Sequence, residues 1–199
     1  MNFSKGFIVR NPENIKECFA IEGDNLLINL SSEKYQKVVN DLVECLPIPA
    51  FMAYEVPCNE LKEKELRKSN QDPFHNDVYY IDGMDHKIMQ LIMEKMGDML
   101  INDGLTQFAF GGLETQEEIV KAKYNLLIII AKDFSKYIGV LNKHGIEQVD
   151  QIVTARDTFT EEHPGMCQKY IDEKGRDSYD LRDIFIEMGA YLDHVAEQK

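Results

Sequence analysis

The sequence predicts an α+β domain of repeated strand-helix-strand units forming a mixed sheet with helices packed on it. Three observations lead there. The longest apolar run, Tyr124-Asn125-Leu126-Leu127-Ile128-Ile129-Ile130-Ala131, is rich in Ile and bounded by Lys123 and Lys132, the pattern of a strand covered on both faces. Three amphipathic stripes begin near residues 32, 85 and 134, a rhythm of about fifty residues. Strand-like segments flank each stripe. Units of this kind in tandem predict a split βαβ, ferredoxin-like sheet, and a doubly wound α/β sheet is the alternative. The run at 124–131 becomes the central strand, with neighbours expected from Val78-Ile81, Leu105-Phe110 and Gln151-Phe159.

Taken in order, Phe7-Arg10, Glu17-Ile21 and Leu26-Leu30 read as short strands separated by the Asn11-Pro12 break and the turn residues 22–25. Ser31 or Ser32 then caps a helix whose apolar residues Tyr35, Val38, Val39, Leu42, Val43 and Leu46 recur at helical spacing. Pro47 and Pro49 end it, and Ile48-Val56 is the next strand. Residues 59–77 carry mixed charge and few apolar side chains, so they read as a short exposed helix followed by a polar flap or linker. After the strand Val78-Ile81, Asp85 caps a helix striped with Ile88, Met89, Ile92, Met96, Met99 and Leu100, and Gly104 closes it. Its methionines are read as core filling. Leu105-Phe110, a turn at Gly111-Gly112 and a long return strand from Glu117 to Ala131 make a hairpin. Asp133 caps a helix carrying Phe134, Tyr137, Ile138 and Leu141, stopped by Gly145. Gln151-Phe159 closes this unit as a strand. In the tail, residues 168–172 and 176–179 read as a small hairpin, and Asp180 caps a helix carrying Leu181, Ile184, Phe185 and Met188; Gly189 leaves two readings, a helix continued through Leu192 and Val195 or, preferred, a stop before a strand at 190–195. The whole of 1–199 is expected to be one domain with an acidic extension from about residue 160.

Charge is the most distinctive compositional feature. Lys and Arg number 22 against 35 Asp and Glu, a net charge of −13, which opposes binding to nucleic acid or to an anionic membrane. Residues 147–199 hold thirteen acidic and six basic side chains, net −7, and form the negative end. No apolar run approaches the roughly 18 residues of a spanning helix, and the N-terminus lacks a signal-peptide pattern, so the expected compartment is the cytoplasm. Cys18, Cys45, Cys58 and Cys167 form no C-x-x-C pair, which predicts reduced thiols and neither a disulfide framework nor a zinc site. Cys58 and Cys167 are the more exposed by context. Neither has a local base.

No Gly-rich phosphate loop or hydrolase, kinase or zincin fingerprint is present, and no cofactor or metal is expected. Two function classes remain. The first is a non-enzymatic cytoplasmic binding module that neutralises a basic protein partner such as a toxin or nuclease, in the manner of an immunity protein. The exposed carboxylates of Glu161, Glu162, Asp172, Glu173 and Asp177 would meet that partner. The alternative is a small, metal-assisted hydrolase with Asp82, Asp85 and His86 at a strand end and helix start, joined by His75 if the 59–77 flap folds back. Turn chemistry at Asp82-Gly83 and capping by Asp85 explain the same residues structurally. Glu161, Glu162 and His163 form a second acid/base grouping, also explained as a polar loop.

Overall fold

A computed structural model describes residues Met1–Gln198. The first half runs β1 (Phe7–Ile8), β2 (Cys18–Glu22), β3 (Asn25–Asn29), α1 (Ser32–Val43), β4 (Ala50–Pro57), α2 (Glu60–Leu66), β5 (His75–Met84) and α3 (His86–Asn102). The second runs β6 (Gln107–Gly112), β7 (Glu118–Lys121), β8 (Leu126–Ile130), α4 (Ser135–Lys143), β9 (Glu147–Gln148), β10 (Met166–Cys167), α5 (Ser178–Glu187) and β11 (Tyr191–Glu197). Nine strands form one sheet in the order β11-β5-β4-β6-β7-β8-β3-β2-β9, and β1 pairs with β10 in a second, two-stranded sheet. Every neighbouring pair in the large sheet is antiparallel except β2 with β9.

Mixed α+β architecture is therefore what the chain adopts. The three long apolar stripes become α1, α3 and α4, each joining strands that run in the same direction with other strands between them; α3, for example, links β5 to β6 around β4. The nine-stranded order is larger than a ferredoxin-like sheet and does not establish that arrangement. On α1 the stripe Tyr35, Val38, Val39, Leu42 and Val43 is wholly buried, and each such side chain contributes about 1.5–3 kcal/mol by leaving water. Met89, Met93 and Met99 of α3 are buried in the same core.

The apolar run at 124–131 is corrected in two respects. Tyr124 and Asn125 have φ of 59° and 60° and form the centre of a tight turn between β7 and β8, so the long return strand is two strands and the hairpin is a three-strand meander. The Asn125 side chain holds this turn: its carbonyl accepts from Ser4 N at 2.9 Å and its amide donates to Leu30 O at 2.9 Å. Strand β8 is interior, but it is buried on one face only. Leu127 and Ile129 enter the helix-covered core while Leu126, Ile128 and Ile130 stay half-exposed, and its neighbours are β7 and β3 rather than the segments expected. Gln151–Phe159 forms no strand; it includes a short 3-10 turn at Arg156–Thr158 and crosses the sheet face opposite the helices, where Ile152 packs on Cys18 and Ala20 and Asn29 donates to Val153 O. The expected hairpin at 168–179 is likewise absent. Met166–Cys167 pairs with Phe7–Ile8, and Asp177, not Asp180, caps α5.

Glycines differ from expectation for steric reasons. Gly104 does not end α3 by a left-handed turn; a Cβ there would lie 2.0 Å from the Gly6 carbonyl oxygen, so it is needed for close backbone approach. Gly111 and Gly112 lie inside β6, not in a turn. Gly189, at φ +102°, does stop α5 before β11.

Candidate functional site

Residues 149–159 lie over the β8-β3-β2 end of the second sheet face, and among the described residues no helix or further strand is placed over the same face from β11 to β7. Alternation places Phe51, Ala53 and Glu55 of β4, Val78 and Tyr80 of β5, Gln107 and Ala109 of β6, and Glu118 and Val120 of β7 on this open side. Tyr191 and His194 of β11 stand opposite Tyr80 and Val78 and extend it to the sheet edge. The surface contains a hollow of about 290 Å³ between Glu55, Tyr80, Gln107, Glu118 and His194, and a neighbouring one of about 370 Å³ bordered by Phe51, Tyr80, Asp82, Tyr191 and Asp193. Tyr80 belongs to both and joins them.

The floor is aromatic. Phe51 lies over Gly111, where a Cβ would come 2.5 Å from its ring, and its centroid is 5.4 Å from that of Tyr80. Tyr80 in turn stacks on Tyr191 at 6.5 Å. Around these rings stand four carboxylates, and among the described residues no Lys or Arg borders either hollow. Two of the acids are engaged: Glu55 accepts from Gln107 at 2.7 Å, and Asp82 accepts from the Tyr191 hydroxyl at 2.8 Å. Asp193 contacts only the neighbouring His194 ring, at 2.8 Å.

Glu118 is different. Among the described residues its carboxylate has no hydrogen-bond or ion-pair partner, and burial against the apolar face raises its pKa. Burial first, and the Glu118 charge next, also raise the Tyr80 phenol. A carboxylate held in poor solvation beside aromatic rings favours a cation that can pair with it and lie on a ring face. Sequence reading assigned no role to Glu118, and strand alternation through Ile119 and Lys121 was the signal that could have placed it.

The residues singled out from the sequence go to separate places. Asp82 lines the open face. Asp85 caps α3 by accepting from Ile88 N at 2.9 Å, and His86 Nε2 contacts the Leu46 carbonyl at 2.8 Å, so these three side chains have three different partners. His75 pairs with Glu63 at 3.2 Å on the α2 side. Glu161, Glu162 and Glu173 are exposed. Asp172 instead binds Arg176, and Asp177 caps α5 while pairing with Lys169, so both serve the local fold. Among the described residues no group of three His, Cys, Asp or Glu could hold a metal ion, and no helix is long and apolar enough to cross a membrane.

The 59–77 segment folds as α2, a turn in which Asp72 accepts from Lys68 N and Ser69 N, and the start of β5. A cavity of about 510 Å³ lies beside it, bordered by Cys58, Glu63, Lys64, Arg67 and Phe74. Three of its groups, Glu63, Arg67 and Cys58, are already engaged within the fold. Arg67 stacks on Phe74 and donates to the Asn70 and Asp72 carbonyls. Cys58, expected to be exposed, is buried and donates to Asp77; burial, helped by that carboxylate, pushes its pKa up to about 12, so the thiol stays protonated at neutral pH. Comparison with protein-family models, curated proteins and solved structures finds no match. The functional reading therefore rests on the chemistry of the open face.

Proposed function

We propose that this chain is a non-enzymatic cytoplasmic binding module that neutralises a basic protein, of the kind a toxin or nuclease presents, by docking it on the open sheet face. The observation that carries the reading is Glu118. An unpaired, partly buried carboxylate costs the free protein stability, and a Lys or Arg side chain of a partner would supply the missing charge while resting on Tyr80 or Phe51. The net charge of −13 supports the same partner chemistry, since it speeds encounter with a cationic surface. The exposed Glu161, Glu162 and Glu173 add to the guiding field, whereas Asp172 and Asp177 do not act mainly as partner contacts because they are bound within the fold.

The test is capture from the native host followed by affinity measurement on the purified captured protein. A basic protein should be retained by the wild type. The double variant Glu55→Gln, Glu118→Gln should bind it at least about tenfold more weakly, because losing one member of a desolvated charge pair costs more than about 1.4 kcal/mol. An acidic partner, or a basic one whose affinity is unchanged by the double substitution, overturns the reading. Glu118→Gln alone should also raise the melting temperature of the free protein.

A further inference from the structure

Strand β11 is the last strand of the large sheet, and among the described residues it pairs with β5 alone. Its backbone identifies which groups face outward. Gln198 N donates to Phe74 O at 2.7 Å, which makes that pair a bonded one. Antiparallel pairing alternates, so Ala196 opposite Asn76 and His194 opposite Val78 turn their N–H and C=O groups inward, while Val195 and Glu197 turn theirs away from the sheet. These groups form an open edge.

Apolar side chains stand on both sides of it. Tyr191, 47% exposed, lies on the open face, and Leu192, 45% exposed, lies with Val195 on the helix side. Edge strands are commonly blunted by charged side chains, proline or a bulge. Here a bulge falls between Leu192 and His194, but Val195–Glu197 continues in regular register, and among the described residues the charged side chains along the edge are Asp193 and Glu197. Those carboxylates repel a second copy of this acidic chain and favour a cationic strand.

We infer that β11 is a strand-addition site, taking an extended segment of the basic partner in which Lys or Arg alternates with apolar residues. The alternation follows from the two sides. Cations of the added strand would face Asp82 and Asp193 on the open side, and its apolar residues would cover Leu192 and Val195 on the other. This rests on the reading that the partner is a basic protein, and adds that main-chain hydrogen bonds to Val195 and Glu197 hold it.

The probe is a short fluorescent peptide of alternating Lys and Val, with a second version N-methylated along one edge and a third in which Glu replaces Lys. Wild-type protein should bind the first at least about tenfold more tightly than either other peptide. Glu197→Pro removes an outward N–H and should lose binding of the first peptide by a similar factor, while Glu197→Ala, which keeps that N–H, should stay close to wild type. If Glu197→Pro fails to fold, the N-methylated peptide on wild-type protein decides. Equal binding of the plain and N-methylated peptides overturns strand addition but leaves docking on the open face standing. Binding of neither also overturns it, and the basic-partner reading then stands or falls on the captured protein. Concentration-dependent dimerisation abolished by Glu197→Pro gives the edge to a second copy and overturns the choice of partner.

Discussion

Lys121 shows how far a single residue can depart from its type. Its ammonium is fully buried beneath the sheet, where it donates to the carbonyls of Asp103 at 2.9 Å and Thr106 at 3.1 Å and lies 5.0 Å from the centre of the Phe7 ring. Burial lowers its pKa from 10.5 to about 8, only partly opposed by Asp103. In the unfolded chain the amine keeps its ordinary value. Between about pH 8 and 10.5 the unfolded state therefore holds a proton that the folded state has released, and stability rises with pH by an amount on the order of 3 kcal/mol. Tyrosines and thiols titrate nearby in pH, so the informative quantity is the difference from Lys121→Met. Across urea unfolding at several pH values, wild type should gain that amount relative to the variant as pH rises from 8 to 10.5. Parallel stability curves would show that the amine is solvated. Lys121 is not legible in the sequence, because a lysine next to an apolar run reads as its boundary, as Lys123 and Lys132 do. Tyr124 suits a strand and so conceals the turn, whereas Asn125 inside the apolar run is a turn signal; their left-handed backbone is fixed by Ser4 and Leu30, distant residues that hold Asn125.

At the scale of elements, the amphipathic helices were legible and their ends were less so. The stripe on α1 is the one its spacing predicts, since burial of one face is written directly in the periodicity. Helix α5 shows the limit. Asp180 is not its cap but the third helical residue of a capping box whose cap is Asp177, and the shorter Asp stands where Glu or Gln is usual. Asp177 accepts from Tyr179 N and Asp180 N and pairs with Lys169, which together hold its pKa down despite its partial burial. Asp177→Ala should cost about 1–2 kcal/mol in chemical unfolding, and Asp177→Asn clearly less because an amide oxygen still caps. An Ala variant as stable as wild type would show that the box contributes nothing. The segment 151–159 looks like a strand because Ile152 and Val153 have strand propensity, yet Ile152 is buried by lying across β2 rather than joining the ladder, and Val153 stays exposed.

Strand order belongs to the whole molecule and was not legible. Pairing β3 with β8 joins residues about a hundred positions apart, and alternation reports which face a residue takes but not which strand lies beside it. Net charge was legible, because it needs only counting, but its division into fold and function was not. Asp172 and Asp177 look like Glu161, Glu162 and Glu173 in sequence, whereas the structure commits the first two to Arg176, Lys169 and the α5 cap. That division makes a prediction. Changing Glu161, Glu162 and Glu173 to Gln should leave stability within about 0.5 kcal/mol, as substitutions at exposed positions usually do. It should slow association with the captured basic protein several-fold at low salt, with little change in its dissociation rate, because remote charges act on encounter. At high salt the two association rates should converge, since screening reaches within about 3 Å at 1 M. Glu118→Gln should do the opposite, raising the dissociation rate with a weaker salt dependence, because its charge meets the partner only after docking. Equal effects of both variants on association would mean that Glu118 belongs to the long-range field and that the open face is not where the partner sits.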